Sequence, residues 1–149
     1  MSAPALLCPP PTDPVAAGRR LADRLGPGDV VLLIGDLAAG KTTLVRGLVA
    51  GLGGEPDDVD SPTFVLVQSY PVKARGIEVV HHVDLYRLGE SLADLREVGL
   101  EDLLNDPAAV VAVEWPKDTL ATWIPAAARV MRVGLEVAGG EVRSITVAD

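Results

Sequence analysis

A glycine-rich octapeptide set between an apolar run and a helical pattern constrains the fold of this chain more than any other feature. Gly35 to Thr42 matches the pattern G-x-x-x-x-G-K-[ST]. It directly follows Val30–Ile34, five apolar residues typical of a strand covered on both faces. It opens residues 41–52, where leucines recur every fourth position before a Gly-Gly stop. The sequence therefore predicts a strand, a phosphate-binding loop and a helix, in that order.

Such a loop places successive backbone N–H groups and a helix N-terminus around phosphate groups. In this pattern Lys41 brings an ammonium to the β- and γ-phosphates, and the Thr42 hydroxyl can bind Mg²⁺. The Asn-Lys-x-Asp sequence typical of guanine recognition is absent, and the only Asn is Asn105. ATP is therefore expected by elimination. The candidate nucleotide-binding residues here are Gly35, Asp36, Leu37, Ala38, Ala39, Gly40, Lys41, Thr42 and Thr43.

Two acidic residues follow apolar runs downstream of the loop. Asp84 comes after residues 79–83, and Glu114 comes after residues 110–113. Metal-assisted phosphoryl transfer needs an acid near the magnesium, normally at the end of a strand beside the loop-bearing strand. Either acid can fill that place, and a solvated cap at a strand end is the alternative interpretation of each.

The remaining patterns predict one α/β domain over residues 1–149, with residues 1–11 as a flexible Pro-rich tail. We expect a three-layer P-loop NTPase-like fold with a mixed parallel and antiparallel sheet. Gly139-Gly140 between two β-rich runs indicates a type I′ hairpin turn, and residues 71–76 are expected to form another turn. Helices are predicted at 13–25, 41–52 and 92–104, the last interrupted or bent near Gly99, and strands at 30–34, 64–70, 77–83, 109–113, 128–137 and 141–147.

Composition excludes several classes of protein. The net charge of −8 argues against a domain that binds nucleic acid by itself, because such binding depends on a positive surface. The single cysteine, Cys8, cannot form an internal disulfide. No signal-peptide pattern and no run of about 20 apolar residues is present. We therefore expect a cytoplasmic protein without a membrane segment.

Two short motifs have both a functional and a structural interpretation. Ser61-Pro62-Thr63 lies between the loop helix and the next strand, where P-loop GTPases carry a γ-phosphate-sensing segment, although an ordinary turn also fits. His81 and His82 are adjacent in a predicted strand, so their side chains point to opposite faces and cannot share a metal ion. A structural or positioning role is expected for these histidines.

Four motifs together resemble the TsaE/YjeE family of bacterial P-loop ATPases. They are GDLAAGKTT (35–43), SPTF (61–64), HVDLYRL (82–88) and VEWP (113–116), and the resemblance covers most of residues 13–147. It implies an ATPase that is slow alone and acts with TsaB and the transferase TsaD in threonylcarbamoylation of adenosine 37 of tRNA. From the charge we expect tRNA contact only through the other subunits.

The resemblance also implies roles for individual residues. Lys41 and residues 35–42 would bind the phosphates, Thr42 and Glu114 would hold Mg²⁺, and Asp84 would be needed for turnover. Ser61 and Thr63 would form a switch-like segment at the nucleotide.

Three further positions depend on the same comparison. Trp115 would lie beside the site, although a core position is an equally good interpretation. Thr12 and Gly140 correspond to segments that touch the family's nucleotide. Ala38 departs from the usual glycine, which puts affinity in question because alanine tolerates positive φ poorly.

Two other functions remain open from sequence. A small-molecule or nucleotide kinase shares this size and fold, but such kinases usually carry an arginine-rich lid. The later arginines are scattered here, at Arg87, Arg96, Arg129, Arg132 and Arg143. A non-catalytic nucleotide sensor is the other alternative.

Overall fold

Strands and helices alternate along most of the chain in the computed structural model, which describes residues 5–8, 13–35, 40–60, 67–86, 99–116, 118–138 and 141–148. Short 3₁₀ helices lie at Pro56–Asp58 and Asp118–Thr122. In chain order the other elements are β1 (Ala5–Cys8), α1 (Pro14–Ala22), β2 (Val30–Ile34), α2 (Lys41–Gly51), β3 (Val67–Ala74), β4 (Ile77–Asp84), α3 (Leu100–Leu104), β5 (Ala109–Glu114), β6 (Val130–Ala138) and β7 (Glu141–Ala148).

The strands form one sheet in the order β1-β7-β6-β2-β5-β4-β3. Strand β2 runs parallel to both β5 and β6, and β4 runs parallel to β5. The pairs β1–β7, β3–β4 and β6–β7 are antiparallel. The predicted mixed sheet is confirmed, and the strand that leads into the glycine-rich loop lies at its centre.

Alternating side chains of the central strands enter two different cores. Val31 and Leu33 of β2 pack in the cluster that contains the leucines of α1 and α2. Val30 and Leu32 face the other side, in the cluster of Leu100 and the α3 helix. Both faces of the sheet are therefore covered, which explains why β2 is apolar throughout and confirms the three-layer architecture.

Helices α1 and α2 are in backbone contact. A Cβ atom added to Gly18 would lie 2.1 Å from the Leu44 carbonyl oxygen, and one added to Gly47 would lie 2.1 Å from that of Val15. Asp13 caps α1 by accepting the Val15 N–H at 3.0 Å. Because α2 begins at Lys41, this close packing fixes the position of the helix that carries Lys41 and Thr42.

Two predicted elements differ from the structure at the edges of the sheet. The flexible tail predicted over residues 1–11 is wrong for Ala5–Cys8, which pair with β7 as an edge strand. A four-residue apolar run is too short to be recognised as a strand without its partner. Pro71 lies inside β3 and not in a turn, because β3 is the other edge strand, where proline is tolerated. The turn is reduced to Arg75 and Gly76, with φ of 46° and 84°.

One helix prediction is too long at its carboxyl end, and the other is tested only from Gly99 onward. The helix predicted over 13–25 ends at Ala22, before a turn at residues 23–24. The helix segment α3 begins at Leu100 after its N-cap Gly99, whose φ is 72°, so the interruption predicted near Gly99 is confirmed. Residues 92–98, strand residues 64–66 and the turn at 139–140 lie outside the described residues. No helix in the described part of the chain is long and apolar enough to cross a membrane.

Candidate nucleotide-binding site

The carboxyl ends of the parallel strands bring both predicted acids together. Asp84 and Glu114 are register partners at the ends of β4 and β5, and Glu114 is also the partner of Leu33 in β2. Asp84 is 5% exposed and Glu114 is 4% exposed. The interpretation as solvated surface caps is therefore wrong for both, and Glu114 lies on the strand next to the one that leads into the loop.

The Thr42 hydroxyl meets the Glu114 carboxylate across 72 positions of sequence. Thr42 Oγ1 donates to Glu114 Oε2 at 3.0 Å. Thr42 lies in the first turn of α2, and Glu114 is the last residue of β5. The two oxygen groups predicted to hold a magnesium ion are thus adjacent.

Lys41 is buried, with 4% exposure, and its ammonium group contacts both the loop and an aromatic ring. Its Nζ donates to the Gly35 carbonyl at 2.5 Å and lies 3.7 Å from the centroid of the Trp115 ring. Trp115 has φ 58°, in the left-handed region that non-glycine residues rarely adopt, and its ring lies 4.9 Å from that of Tyr86. Of the two interpretations of Trp115, the position beside the site is the one observed.

Gly40 begins α2 with a left-handed backbone, φ 97°, and its carbonyl accepts the Leu44 N–H at 2.8 Å. A side chain at this position would strain that conformation, which explains the glycine before Lys41. Thr43 follows within the first turn of the helix. Asp36, Leu37, Ala38 and Ala39 lie outside the described residues, as do Ser61, Thr63, Thr12 and Gly140.

Asp84 shapes the chain just beyond β4. Its Oδ1 accepts the backbone N–H of Tyr86 at 2.9 Å, an arrangement that turns the chain after the strand. This bond helps to place Tyr86 against Trp115, so Asp84 is linked through them to the ammonium of Lys41.

A buried hydrogen-bond network continues from Glu114 away from the loop. His82, which is 0% exposed, places Nε2 2.5 Å from Glu114 Oε2. Its Nδ1 lies 3.3 Å from the Tyr70 hydroxyl, which also lies 3.1 Å from the Asp60 carbonyl oxygen. Burial raises the pKa of Tyr70. Sequence reasoning missed Tyr70. The one available signal was the period-two alternation of a strand, which places His82 and Asp84 on the same face of β4.

His81 lies on the other face of β4, as the alternation predicted. It is hydrogen-bonded to Ser69 Oγ at 2.7 Å and to Asp106 Oδ2 at 3.0 Å. The Ala108 backbone N–H, and secondarily His81, lower the pKa of Asp106. This surface group contacts neither Glu114 nor Lys41, so the two adjacent histidines have separate roles.

The donor set suits Mg²⁺ bound together with a nucleotide. Mg²⁺ takes oxygen ligands and usually only one or two protein carboxylates, with phosphate and water oxygens completing the octahedron. Thr42 and Glu114 supply one hydroxyl and one carboxylate in contact with each other. Within the described ranges, no group of three or more His, Cys, Asp or Glu side chains forms a metal cluster.

Comparison with known proteins decides the family. Residues 9–145 match the family model described as threonylcarbamoyl adenosine biosynthesis protein TsaE. The chain belongs to the TsaE family. The TsaE protein of Streptomyces coelicolor is 48% identical over 98 residues, which cover 66% of this chain and 64% of that protein. The TsaE protein of Mycobacterium tuberculosis is 40% identical over 108 residues, covering 69% and 62%.

The matched region thus spans slightly less than two thirds of the length of these curated TsaE relatives. Both are described as tRNA threonylcarbamoyladenosine biosynthesis proteins. Among solved structures, YdiB of Bacillus subtilis superposes with a TM-score of 0.64 at 26% identity, covering 99% of this chain and 86% of YdiB. These findings confirm the family resemblance and the α/β fold expected from the four motifs.

Proposed function

We propose that this TsaE-family chain is a Mg²⁺-dependent ATPase that supports threonylcarbamoylation of adenosine 37 in tRNA. The observation that carries the proposal is the convergence of Lys41, Thr42 and Glu114 at one end of the sheet. The names of the curated TsaE relatives supply the pathway. ATP, and not a guanine nucleotide, follows from the absence of an Asn-Lys-x-Asp sequence.

The chain's own residues divide the binding task between phosphate and metal. Residues 35–42 enclose the phosphates, with the helix N-terminus of α2 directed at them. Thr42 and Glu114 hold Mg²⁺, which when bound offsets negative charge on the β- and γ-phosphate oxygens. Asp84 supports turnover from its position beside Glu114. Ser61, Thr63, Thr12 and Gly140 complete the nucleotide contacts in this proposal.

Lys41 is prepared for phosphate by its surroundings. Its ammonium is already removed from water and is held by the Gly35 carbonyl and the Trp115 ring. Moving to a phosphate oxygen therefore exchanges these contacts for stronger bonds in which both partners are charged, without a large new desolvation cost.

Partner binding is part of the proposal, with homologues of TsaB and TsaD as the partners. Among the described residues, Ile34 and Tyr86 are the exposed large hydrophobic side chains, 47% and 46% exposed. Both lie at the end of the sheet that carries the site, Ile34 as the last residue of β2 and Tyr86 just after β4. We propose that a partner covers them, that the assembly is cytoplasmic, and that tRNA is reached only through the other subunits.

One assay separates this function from its alternatives. Purified protein is incubated with Mg²⁺ and ATP, alone and with the TsaB and TsaD homologues, and phosphate release, phosphate transfer and nucleotide binding are measured. We expect slow release alone and faster release in the assembly. Transfer to a small acceptor would indicate a kinase, and binding without release would indicate a sensor.

The variant that tests the loop assignment is Lys41→Ala, which removes the ammonium group and leaves the start of the helix intact. A charge-assisted contact to phosphate is worth about 1.5–3 kcal/mol, so ATP binding should weaken by roughly 10- to 100-fold and release should cease. A Lys41→Ala protein that hydrolyses ATP at the unmodified rate refutes the loop assignment.

A further inference from the structure

We propose that His82 and Tyr70 are positioning residues that hold Glu114 for the magnesium ion and connect it to the backbone at Asp60. This inference rests on the proposed function, because it concerns the metal side of the same site. The connection matters because Asp60 immediately precedes the Ser61-Pro62-Thr63 motif in the sequence.

The first link is between His82 and Glu114. Among the described residues, both hydrogen bonds to the carboxylate end on Oε2, from Thr42 at 3.0 Å and from His82 Nε2 at 2.5 Å. A buried carboxylate needs such donors, since it has lost its water. Two donors on one oxygen fix the rotation of the carboxylate, so the orientation of Glu114 depends on where the His82 ring is held.

The second link is between His82 and Tyr70. A carboxylate accepts hydrogen bonds, so Nε2 carries the hydrogen toward Glu114, and in the neutral ring Nδ1 is left as an acceptor. The Tyr70 hydroxyl lies 3.3 Å from Nδ1 and can donate to it. Burial raises the pKa of Tyr70, which keeps the phenol protonated and able to donate.

The third link joins Tyr70 to the segment that precedes Ser61. The hydroxyl lies 3.1 Å from the Asp60 carbonyl oxygen and 2.7 Å from Gln68 Oε1. It carries one hydrogen, so it cannot donate to His82, Asp60 and Gln68 at once. From the other side, Arg46 of α2 donates to the carbonyl of the residue before Asp60 at 3.0 Å.

The consequence is a coupling between the backbone at Asp60 and the metal side of the site. A displacement of the Asp60 carbonyl changes which acceptor receives the hydrogen of the Tyr70 hydroxyl. When that acceptor is no longer His82 Nδ1, the His82 ring is held less firmly against Glu114. Conversely, metal drawn to Glu114 favours one arrangement of the Tyr70 hydroxyl. Second-layer partners of metal ligands typically alter metal affinity by about 10- to 100-fold when removed.

The test measures how much Mg²⁺ is needed for binding of a fluorescent ATP analogue, with binding in EDTA as a second reading. Tyr70→Phe removes only the hydroxyl, and His82→Phe removes both ring nitrogens. Because partners of a ligand change metal affinity by about 10- to 100-fold, we expect His82→Phe to raise the half-saturating Mg²⁺ concentration at least tenfold. Tyr70→Phe should raise it roughly threefold, because it acts one bond further from Glu114. Binding in EDTA should not change in either variant.

Matched controls come from the neighbouring surface group. Ser69→Ala and His81→Phe make the same kinds of change one residue away, on the other face of the paired strands β3 and β4. Neither should alter the Mg²⁺ requirement. In a Glu114→Gln background, Tyr70→Phe should have no further effect, because its influence passes through the carboxylate.

The outcomes separate this inference from the proposed function. If the unmodified protein needs no Mg²⁺ for tight nucleotide binding, the proposed function fails and the inference fails with it. If the unmodified protein needs Mg²⁺ but Tyr70→Phe shows the same requirement, only the inference is overturned. An equal loss of binding with and without Mg²⁺ would indicate a general structural role and would also overturn it. Tyr70→Phe decides the matter even if His82→Phe does not fold.

Discussion

Glu114→Gln is the substitution that tests the metal site with the least change in shape. The structure allows glutamine to place its carbonyl oxygen where Oε2 lies, because both Thr42 and His82 donate to that one atom. The two hydrogen bonds are then kept, but they become neutral instead of charge-assisted. The amide nitrogen occupies the position of Oε1 and presents N–H groups there.

The cost to folding follows from those two bonds. A hydrogen bond to a charged group contributes about 1.5–3 kcal/mol and a neutral one about 0.5–1.5 kcal/mol, so each loses about 1 kcal/mol. We expect the free energy of unfolding to fall by about 2 kcal/mol. For a domain of this size that corresponds to a decrease in Tm of about 4–8 °C. The variant should therefore fold at room temperature.

The cost to metal binding is larger. A carboxylate and one unit of positive charge 4 Å apart interact by about 4 kcal/mol at an effective dielectric constant of about 20, roughly a thousandfold in affinity, and Mg²⁺ carries two such units. Solvent ions and the nucleotide phosphates reduce this value. We expect the Mg²⁺ concentration that half-saturates ATP hydrolysis to rise at least about tenfold.

The assay is a Mg²⁺ titration of phosphate release in the full assembly, accompanied by thermal denaturation of the isolated protein. Lowered Tm with an unchanged Mg²⁺ requirement would show that Glu114 only supports the fold. If Glu114→Gln binds and turns over Mg-ATP normally while Asp84→Asn loses the metal, the two acids have been assigned in the wrong order.

Three further substitutions probe the turnover residue, an acid-sensitive contact and the helix crossing. Asp84→Asn should reduce turnover more than Mg-ATP binding; equal losses in phosphate release and binding would contradict this. The backbone N–H of Ala108 lowers the pKa of Asp106, so this carboxylate contributes stability above about pH 4 that is lost as the pH falls through its folded-state pKa. In denaturation at several pH values, Asp106→Asn should therefore be less stable than the unmodified protein at pH 7 and nearly equal at low pH; a pH-independent difference would argue against this. Gly47→Ala puts a Cβ 2.1 Å from a carbonyl oxygen and should cost about 1–3 kcal/mol or more by thermal denaturation, whereas Gly26→Ala, whose nearest atom is 4.0 Å away, should not. Equal melting temperatures would refute the close packing of α1 on α2.

The central part of the fold could be predicted because each signal there is local. Val30–Ile34 is apolar at every position, and a strand between two layers has no polar face to interrupt the run. The glycine that begins α2 and the leucine spacing within the helix are equally local. The same reasoning gave β5, which is buried over its whole length.

The edges of the sheet could not be predicted because their structure depends on partners distant in sequence. Ala5–Cys8 becomes a strand by pairing with β7, which lies at the other end of the chain. Pro71 is compatible with a strand only when that strand has an unpaired edge, and the sequence alone does not reveal strand order. These predictions were wrong because strand pairing depends on the topology of the sheet, and not because the strand or turn propensities of the residues were misjudged.

The residues of the site also differ in how far the sequence alone could predict them. Lys41 and Thr42 belong to a contiguous motif, and Glu114 could be inferred from a strand end. The network through His82 and Tyr70 required the registers of three strands at once. Residue spacing cannot supply the pairing of β3 with β4 and of β4 with β5 that brings the Tyr70 hydroxyl to His82 Nδ1 and His82 Nε2 to Glu114.

The distribution of buried charge shows which end of the sheet is specialised. Among the described residues, the buried polar or charged side chains are Asp29, Lys41, His82, Asp84 and Glu114. Asp29 lies at the opposite end and is paired with Arg129 at 2.5 Å, a contact that satisfies it structurally. The other four meet where β4 and β5 end and α2 begins. Removing ionisable groups from water is costly, and apolar residues of similar volume would often be more stable there. Such a concentration at one edge is expected where chemistry requires it, and at this edge the chemistry is the binding of phosphate and Mg²⁺.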